Sequence, residues 1–144
     1  MKRARGFRAE RELVRKLWKY GFAVIRGPAS GSGARKIFYP DVVAIYRREV
    51  LVFEVKSRKK LETIYLDPIK VEKLREFAER AGGKAFIAVK ISELRSWKIV
   101  PLERVSIDNG RCKLHKDVID DSEDLDAFVR KLIVKSLDSF AKQS

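Results

Sequence analysis

The stretch PDVVAIYRREVLVFEVKSRKK, residues 40–60, decides the fold. It contains two β-branched runs, residues 41–46 and 50–56, which only three residues separate. Two such runs joined by so short a connection predict an antiparallel hairpin, and both are apolar enough to be central strands. A turn at residues 47–49 places Asp41 opposite about Val55.

The segments on either side of this hairpin extend it to an αβββαβ order. Apolar residues at helical spacing predict a helix over about residues 7–20, and a short strand follows at 22–26. Downstream, Asp67-Pro68 begins a second helix and Gly82-Gly83 ends it. Further strands are predicted at residues 85–90 and 97–100, and an amphipathic helix at 122–140.

These elements predict an α/β fold with a central mixed β-sheet flanked by helices. No internal repeat or shift in composition divides the sequence, so we expect one domain over residues 1–144. Residues 1–6 include Lys2, Arg3 and Arg5 without apolar periodicity, and we expect them to form a mobile basic arm that contacts phosphate.

The charge balance predicts a polyanionic partner. The chain has 33 Lys and Arg against 20 Asp and Glu, a formal net charge of +13 and a pI of about 10. Nucleic acid fits best, while an anionic membrane surface or a purely solubilising charge are the weaker alternatives. The single cysteine, Cys112, and the lack of an N-terminal apolar run favour an intracellular protein, cytoplasmic and associated with the nucleoid.

A group of charged residues in the hairpin is suited to phosphodiester chemistry. Side chains alternate along a strand, so Glu54 and Lys56 lie on one face, and the hairpin brings Asp41 near them. Mg²⁺ prefers hard oxygen ligands, which Asp41, Glu54 and the backbone carbonyl of Val55 could supply. Lys56 could orient the attacking water or stabilise charge in the transition state.

A further carboxylate comes from the first helix. Glu10 precedes Leu13, Val14 and Leu17 by three, four and seven residues, so it lies on the buried side and needs a metal ion or metal-bound water as partner. Glu12 falls on the exposed side. Each feature alone also has a structural explanation, namely a Glu54–Lys56 ion pair, Asp41 in a turn, or Glu10 paired with an arginine. Their combination in a basic chain favours a nuclease.

The sequence resembles the archaeal Holliday junction resolvase family of the restriction-endonuclease-like nuclease superfamily, over about residues 6–104. The matching segments are Ala9-Glu10-Arg11-Glu12-Leu13, Gly21-Phe22-Ala23-Val24, Pro28-Ala29-Ser30-Gly31-Ser32, Pro40-Asp41-Val42-Val43-Ala44, Glu54-Val55-Lys56-Ser57-Arg58, Phe77-Ala78 and Gly82-Gly83. The resemblance implies a restriction-endonuclease-like core and a homodimer that cuts four-way DNA junctions by paired, Mg²⁺-dependent nicks in recombination and repair, with Mn²⁺ able to replace Mg²⁺.

The resemblance also implies roles for individual residues. Glu10, Asp41 and Glu54 match the family's metal-binding carboxylates and Lys56 its catalytic lysine, while Ser30 and Ser32 match a serine loop that approaches the scissile strand. Lys70 stands where many members have glutamine, and it could still face the site and contact phosphate. The expected DNA-binding residues are Lys2, Arg3, Arg5, Arg35, Lys36, Arg58, Lys59 and Lys70.

Two rival hypotheses remain open, and they differ in chemistry. Another nuclease of the same superfamily would share the same four residues, and a non-catalytic nucleic-acid-binding module would keep only the fold and the basic surface. For Trp18 and Trp97, core packing is favoured over stacking on bases. His115 lacks companions at zinc-ligand spacing, so we expect a surface residue, and exposed apolar residues of the second helix and the strand after it are candidates for a dimer contact.

Overall fold

The computed structural model describes the backbone of residues 2–28 and 37–143, and the side chains of residues 7–28 and 37–138. The helices are α1 (Lys2–Lys19), α2 (Pro68–Ala81), α3 (Lys116–Asp121) and α4 (Leu125–Gln143), with a 3-10 turn at Leu102–Arg104. The strands are β1 (Ala23–Arg26), β2 (Val42–Tyr46), β3 (Glu49–Arg58), β4 (Ile64–Leu66), β5 (Lys84–Ile91), β6 (Ser96–Pro101), β7 (Ser106–Asp108), β8 (Arg111–Leu114) and β9 (Glu123–Asp124).

The main sheet has the strand order β1-β2-β3-β5-β6-β9, and β3 and β5 are its one parallel pair among the described strands. The mixed sheet, the antiparallel β2–β3 hairpin and the central position of both strands are therefore confirmed. Val42 pairs with Phe53 and Tyr46 with Glu49. The turn is thus one residue shorter than predicted, and Asp41 lies nearer to Glu54 than to the position opposite Val55.

Helices cover both faces of this sheet. On one face α1 and α4 pack over Phe53 and Phe86, and on the other α2 packs over Val52, Ile87 and Val89. Because side chains alternate along β3, Glu54 and Lys56 share the α2 face with Val52. Glu54 and Lys56 come after the apolar part of β3, toward the end of the strand that is only partly buried.

Local signals fix both ends of α2 as the sequence predicts. The Asp67 side chain accepts a hydrogen bond from the Ile69 N–H at 2.9 Å, and Pro68 occupies the first helical position. Gly82 ends the helix with φ 65°, a left-handed conformation that favours glycine. A Cβ at Gly83 would lie 2.4 Å from the Val50 carbonyl oxygen, so glycine also allows this turn to lie against β3.

The predicted N-terminal arm is wrong in its secondary structure, because α1 begins at Lys2. Lysine, arginine and alanine are good helix formers and no proline interrupts residues 2–19, so the packed part of the helix extends into them. The predicted last helix begins later than expected, at Leu125, where the Asp124 side chain accepts from the Ala127 N–H at 2.9 Å.

A second, three-stranded sheet of order β4-β8-β7 was not predicted. Its buried residues Ile64, Leu66, Cys112 and Leu114 join the core on the α2 face. His115, expected at the surface, caps α3 by accepting a hydrogen bond from the Asp117 N–H at 3.1 Å. No helix in the described ranges is both long and apolar enough to cross a membrane.

Candidate active site

Asp41 is held at the junction of three strands. Its Oδ2 atom accepts a hydrogen bond from the Val55 N–H at 2.8 Å, and its carbonyl oxygen accepts one from the Gly27 N–H at 2.9 Å. A Cβ at Gly27 would lie 2.0 Å from the Pro40 carbonyl oxygen, so only glycine lets the end of β1 approach so closely. Asp41 is therefore fixed through both its backbone and its side chain.

Glu54 is the most enclosed charged residue of the site. Its side chain is 13% exposed, and Lys56 Nζ lies 3.6 Å from its Oε1. Burial raises the pKa of Glu54 from 4.5 to about 7, and the Asp41 charge and a hydrogen bond with Asp41 raise it as well. Lys56 and Lys70 act in the opposite direction. Glu54 therefore keeps its proton up to about neutral pH in the metal-free protein, beside Asp41.

Glu10 approaches Asp41 from α1. Burial and the Asp41 charge raise the pKa of Glu10 to about 7, while Arg26 lowers it. Arg26 Nε lies 3.5 Å from Glu10 Oε2, and the Arg26 guanidinium lies 5.7 Å from the centre of the Phe7 ring. Both features expected of Glu10 are therefore present, since it lies near Asp41 and also pairs with an arginine. The sequence did not indicate a role for Arg26 in the site, because no motif marks the last residue of so short a strand.

A small cavity beside Glu54 holds the two lysines of the site. It measures about 60 Å³, room for a few water molecules. Its polar lining is Glu54, Lys56, Asp67 and Lys70, and the rest of its lining is apolar. Lys70 at the start of α2 therefore faces the site, as the sequence analysis expected.

The donor set fits a hard divalent cation. Within the described ranges no three acidic, histidine or cysteine side chains converge closely enough to be recognised as a metal site. The Asp41–Glu54 pair nevertheless suits Mg²⁺, which commonly binds one or two carboxylates and takes its other ligands from water and phosphate. Burial, and after it the nearby Asp41 charge, raises the pKa of Glu10 and Glu54, and a bound cation would favour their ionised forms. The ligand role of the Val55 carbonyl stays a prediction.

Other predicted residues lie around the end of β3 or outside the described part. Arg58 ends β3 and its Nε lies 3.4 Å from Glu62 Oε1, and the exposed Lys59 follows it. The side chains of Lys2, Arg3 and Arg5 and the whole of Ser30, Ser32, Arg35 and Lys36 lie outside the described residues.

Three expectations about side chains and surfaces are corrected. Glu12 is half-buried and pairs with Lys90 of β5, because α1 crosses the sheet there. Trp18 is 67% exposed, since it lies beside the apolar stripe of α1 and not in it, whereas core packing of Trp97, 5% exposed, is confirmed. β5 is a buried central strand, so it offers no surface for a dimer contact.

Comparisons with known proteins agree with this geometry. The sequence profile of the family described as "Archaeal holliday junction resolvase (hjc)" matches residues 1–137. A "Crossover junction endodeoxyribonuclease Hjc" from Sulfurisphaera tokodaii is 39% identical over 142 residues, covering 96% of each chain. The structure of Archaeoglobus fulgidus Hjc matches 86% of this chain and 99% of its own with a TM-score of 0.76 and 34% identity. A bacterial homing endonuclease shares the fold, with a TM-score of 0.51, 17% identity, and coverage of 80% of this chain and 74% of its own.

Proposed function

The chain belongs to the archaeal Holliday junction resolvase family and is a crossover junction endodeoxyribonuclease, and we propose that it resolves four-way junctions by paired, Mg²⁺-dependent nicks as a homodimer. Nucleases with this fold generally depend on a divalent metal. Mg²⁺ is the specific ion proposed, with Mn²⁺ able to replace it. The proposal takes residues 1–144 as one nuclease domain, and it is supported by two apolar clusters of the described residues that pack on opposite faces of the six-stranded sheet.

In this proposal Asp41, Glu54 and Glu10 would hold the metal, together with the Val55 carbonyl. A bound divalent cation lowers the pKa of water and stabilises charge on the scissile phosphate. The bond from the Val55 N–H orients Asp41. Glu10 would bind the metal directly or through a metal-bound water, and Arg26 orients Glu10. Lys56, 3.6 Å from Glu54, positions the attacking water or stabilises the transition-state charge.

The basic residues around the site bind the DNA backbone. Lys70 lines the same cavity as Glu54 and contacts phosphate near the reacting group. Arg58 and Lys59 continue from the strand that carries Glu54, so they extend the contact along the DNA. Ser30 and Ser32 act at the scissile strand. The remaining proposed DNA-binding residues are Lys2, Arg3, Arg5, Arg35 and Lys36.

A homodimer explains paired cutting, because a two-fold axis places two sites on opposite strands of a junction with matching symmetry. The proposed setting is DNA recombination and repair, in the cytoplasm and at the nucleoid. This follows from the substrate, since four-way junctions arise when two duplexes exchange strands.

The observation that carries the proposal is the carboxylate pair of Asp41 and Glu54, held by the Val55 N–H beside two lysines. The test compares an end-labelled four-way junction with a linear duplex of the same sequence, in Mg²⁺ and in EDTA. Paired nicks in the junction alone, and only with Mg²⁺, are expected. Cutting of both substrates would indicate a general nuclease, and tight binding without any cutting would indicate a non-catalytic binding module.

A further inference from the structure

The outer face of α1 carries a concentration of positive charge that the proposed site does not use. The helix contains eight lysines and arginines and two glutamates, with no acidic residue in its first turn. Cations near a helix N-terminus oppose the helix dipole, at about 0.3–1 kcal/mol each when exposed. The helix dipole therefore favours Lys16 and Lys19 in the last turn but does not explain the cations of the first turns.

Both glutamates of α1 form ion pairs with residues of other elements. Glu10 pairs with Arg26 of β1 and Glu12 with Lys90 of β5. Four cations and one aromatic ring, all exposed, fall within a stripe about 100° wide at 3.6 residues per turn. We name this set the outer stripe: Arg8, Arg11, Arg15, Trp18 and Lys19. Among the residues that the structure describes, none of the four cations has an acidic partner.

Trp18 is the unusual member of the outer stripe. It is 67% exposed, between Arg15 one turn before it and Lys19 directly after it. A large ring left in water contributes little to folding, and an aromatic ring among cations is the combination that binds DNA, since the ring packs on bases or sugars while the cations bind phosphate. An acidic protein partner would require only the cations, and an apolar protein partner would require only the aromatic ring.

We propose that the outer stripe binds one arm of the DNA junction, with Arg15 and Lys19 on phosphates and Trp18 packed against the nucleotide between them. The proposal rests on the proposed function and adds a second contact surface to it. Arg8 and Lys19 are about 16 Å apart along the helix axis. Duplex DNA has one charge per about 1.7 Å, so about ten phosphates lie along that length.

The position of the outer stripe relative to the site supports the same partner. Glu10 reaches Asp41 from one side of α1, and the outer stripe begins at Trp18, about 80° further around the same helix. Lys19 is about 13 Å from Glu10 along the axis. A duplex is wider than this, so an arm leaving the site toward α1 meets the outer stripe. The cations there offset the repulsion between phosphates and the carboxylates of the site.

Tryptophan fluorescence tests the contact directly, because the sequence has two tryptophans and Trp97 is only 5% exposed. Acrylamide quenching is measured for the wild type and for Trp18→Phe, in EDTA to prevent cleavage, with and without a four-way junction. Binding of the junction is expected to lower the quenching of the wild type to about the level measured for Trp18→Phe. The quenching of Trp18→Phe itself should change little.

Salt-dependent binding tests the cations. Arg15→Gln/Lys19→Gln is compared with Arg130→Gln/Lys131→Gln on α4, which removes the same charge but from residues paired with Asp126 and Glu123. In the first variant two phosphates are no longer neutralised, so the log–log salt slope of binding should fall by about 0.9 for each, about 1.8 in all. The α4 control should keep the wild-type slope and affinity.

The outcomes separate this proposal from the function on which it rests. If the junction is bound and cut while Trp18 stays open to quenching and the Arg15 and Lys19 variant binds normally, the outer stripe is not a DNA surface although the enzyme is a resolvase. If Trp18 becomes protected as protein concentration rises without DNA, the surface joins two copies of the chain, and the DNA proposal is overturned. If the wild type neither binds nor cuts a junction, both proposals fail together.

Discussion

The Val55 N–H donates to Asp41 Oδ2 across 2.8 Å, which ties the carboxylate before β2 to the strand that carries Glu54. An amide side chain can accept the same hydrogen bond but cannot supply the same negative charge. Asp41→Asn therefore changes the chemistry of the site with little change in its geometry.

We expect Asp41→Asn to reduce junction cleavage by at least about a hundredfold, because metal binding and charge stabilisation are lost together. Junction affinity in EDTA should stay at or above the wild-type value, since a charge that repels phosphate is removed. Single-turnover cleavage and binding by the same labelled junction measure the two quantities. Glu79→Gln on the exposed side of α2 is the control and should cleave normally. Loss of binding along with cleavage would mean that Asp41 has a structural role.

Glu54→Gln should stabilise the metal-free protein at pH 8 but not at pH 4. Burial and Asp41 raise the pKa of Glu54 from 4.5 to about 7. The folded protein therefore binds more protons than the unfolded chain between these values, and its free energy of unfolding falls as pH rises through that window. One pKa unit corresponds to about 1.4 kcal/mol, so the cost at pH 8 is at most about 3 kcal/mol.

Thermal unfolding in EDTA at the two pH values measures this effect. Glu54→Gln should unfold several degrees above the wild type at pH 8, and adding Mg²⁺ should raise the wild type only. The same temperature for both proteins at pH 8 would show that Glu54 ionises there without cost, and that burial and Asp41 do not raise its pKa.

Lys70→Gln should move the pH dependence of cleavage without abolishing cleavage. The Lys70 charge lowers the pKa of Glu54, and its loss leaves burial and Asp41 opposed by Lys56 alone. The ionised form of Glu54 then appears at higher pH, so the rising limb of the pH–rate profile shifts to higher pH. Lys56→Ala should instead lower the plateau by about a hundredfold. A shift of the limb downward in Lys70→Gln would contradict this assignment.

Local patterns were sufficient to predict β1, β2, β3, β5, β6 and α2 from the sequence. Asp67, Pro68 and Gly82 act on their own helix ends, and alternation in β3 separates Glu54 from Val55 within a few residues. The group of Glu54, Lys56 and Asp41 follows from this alternation and from the short connection of the hairpin. The exact register did not, because Arg47 takes φ 56° and shortens the turn by one residue.

What the sequence could not predict depends on partners that are distant along the chain. Glu12 was placed on the exposed side because its half-buried position depends on Lys90, 78 residues away. Trp18 lies at the border of the apolar stripe of α1, where spacing alone does not distinguish a packed side chain from an exposed one. The strands of the small sheet span three or four residues, too few for alternation to be recognised.

Gly27→Ala tests whether the approach of β1 to Pro40 positions Asp41. The new methyl group would lie 2.0 Å from the Pro40 carbonyl oxygen, so either β1 or the segment before β2 must move, and the Asp41 carbonyl loses its bond from the Gly27 N–H. A displacement of about 1 Å at a reacting group commonly costs about a hundredfold in rate. Gly110→Ala is the control, because Gly110 has φ 74° and open space around it, so alanine there costs about 1 kcal/mol of stability without contact with the site. Cleavage rates are compared at a temperature where both variants stay folded. If Gly27→Ala cleaves as fast as Gly110→Ala, the backbone of Asp41 is not the element that sets its position, and the Val55 N–H alone suffices.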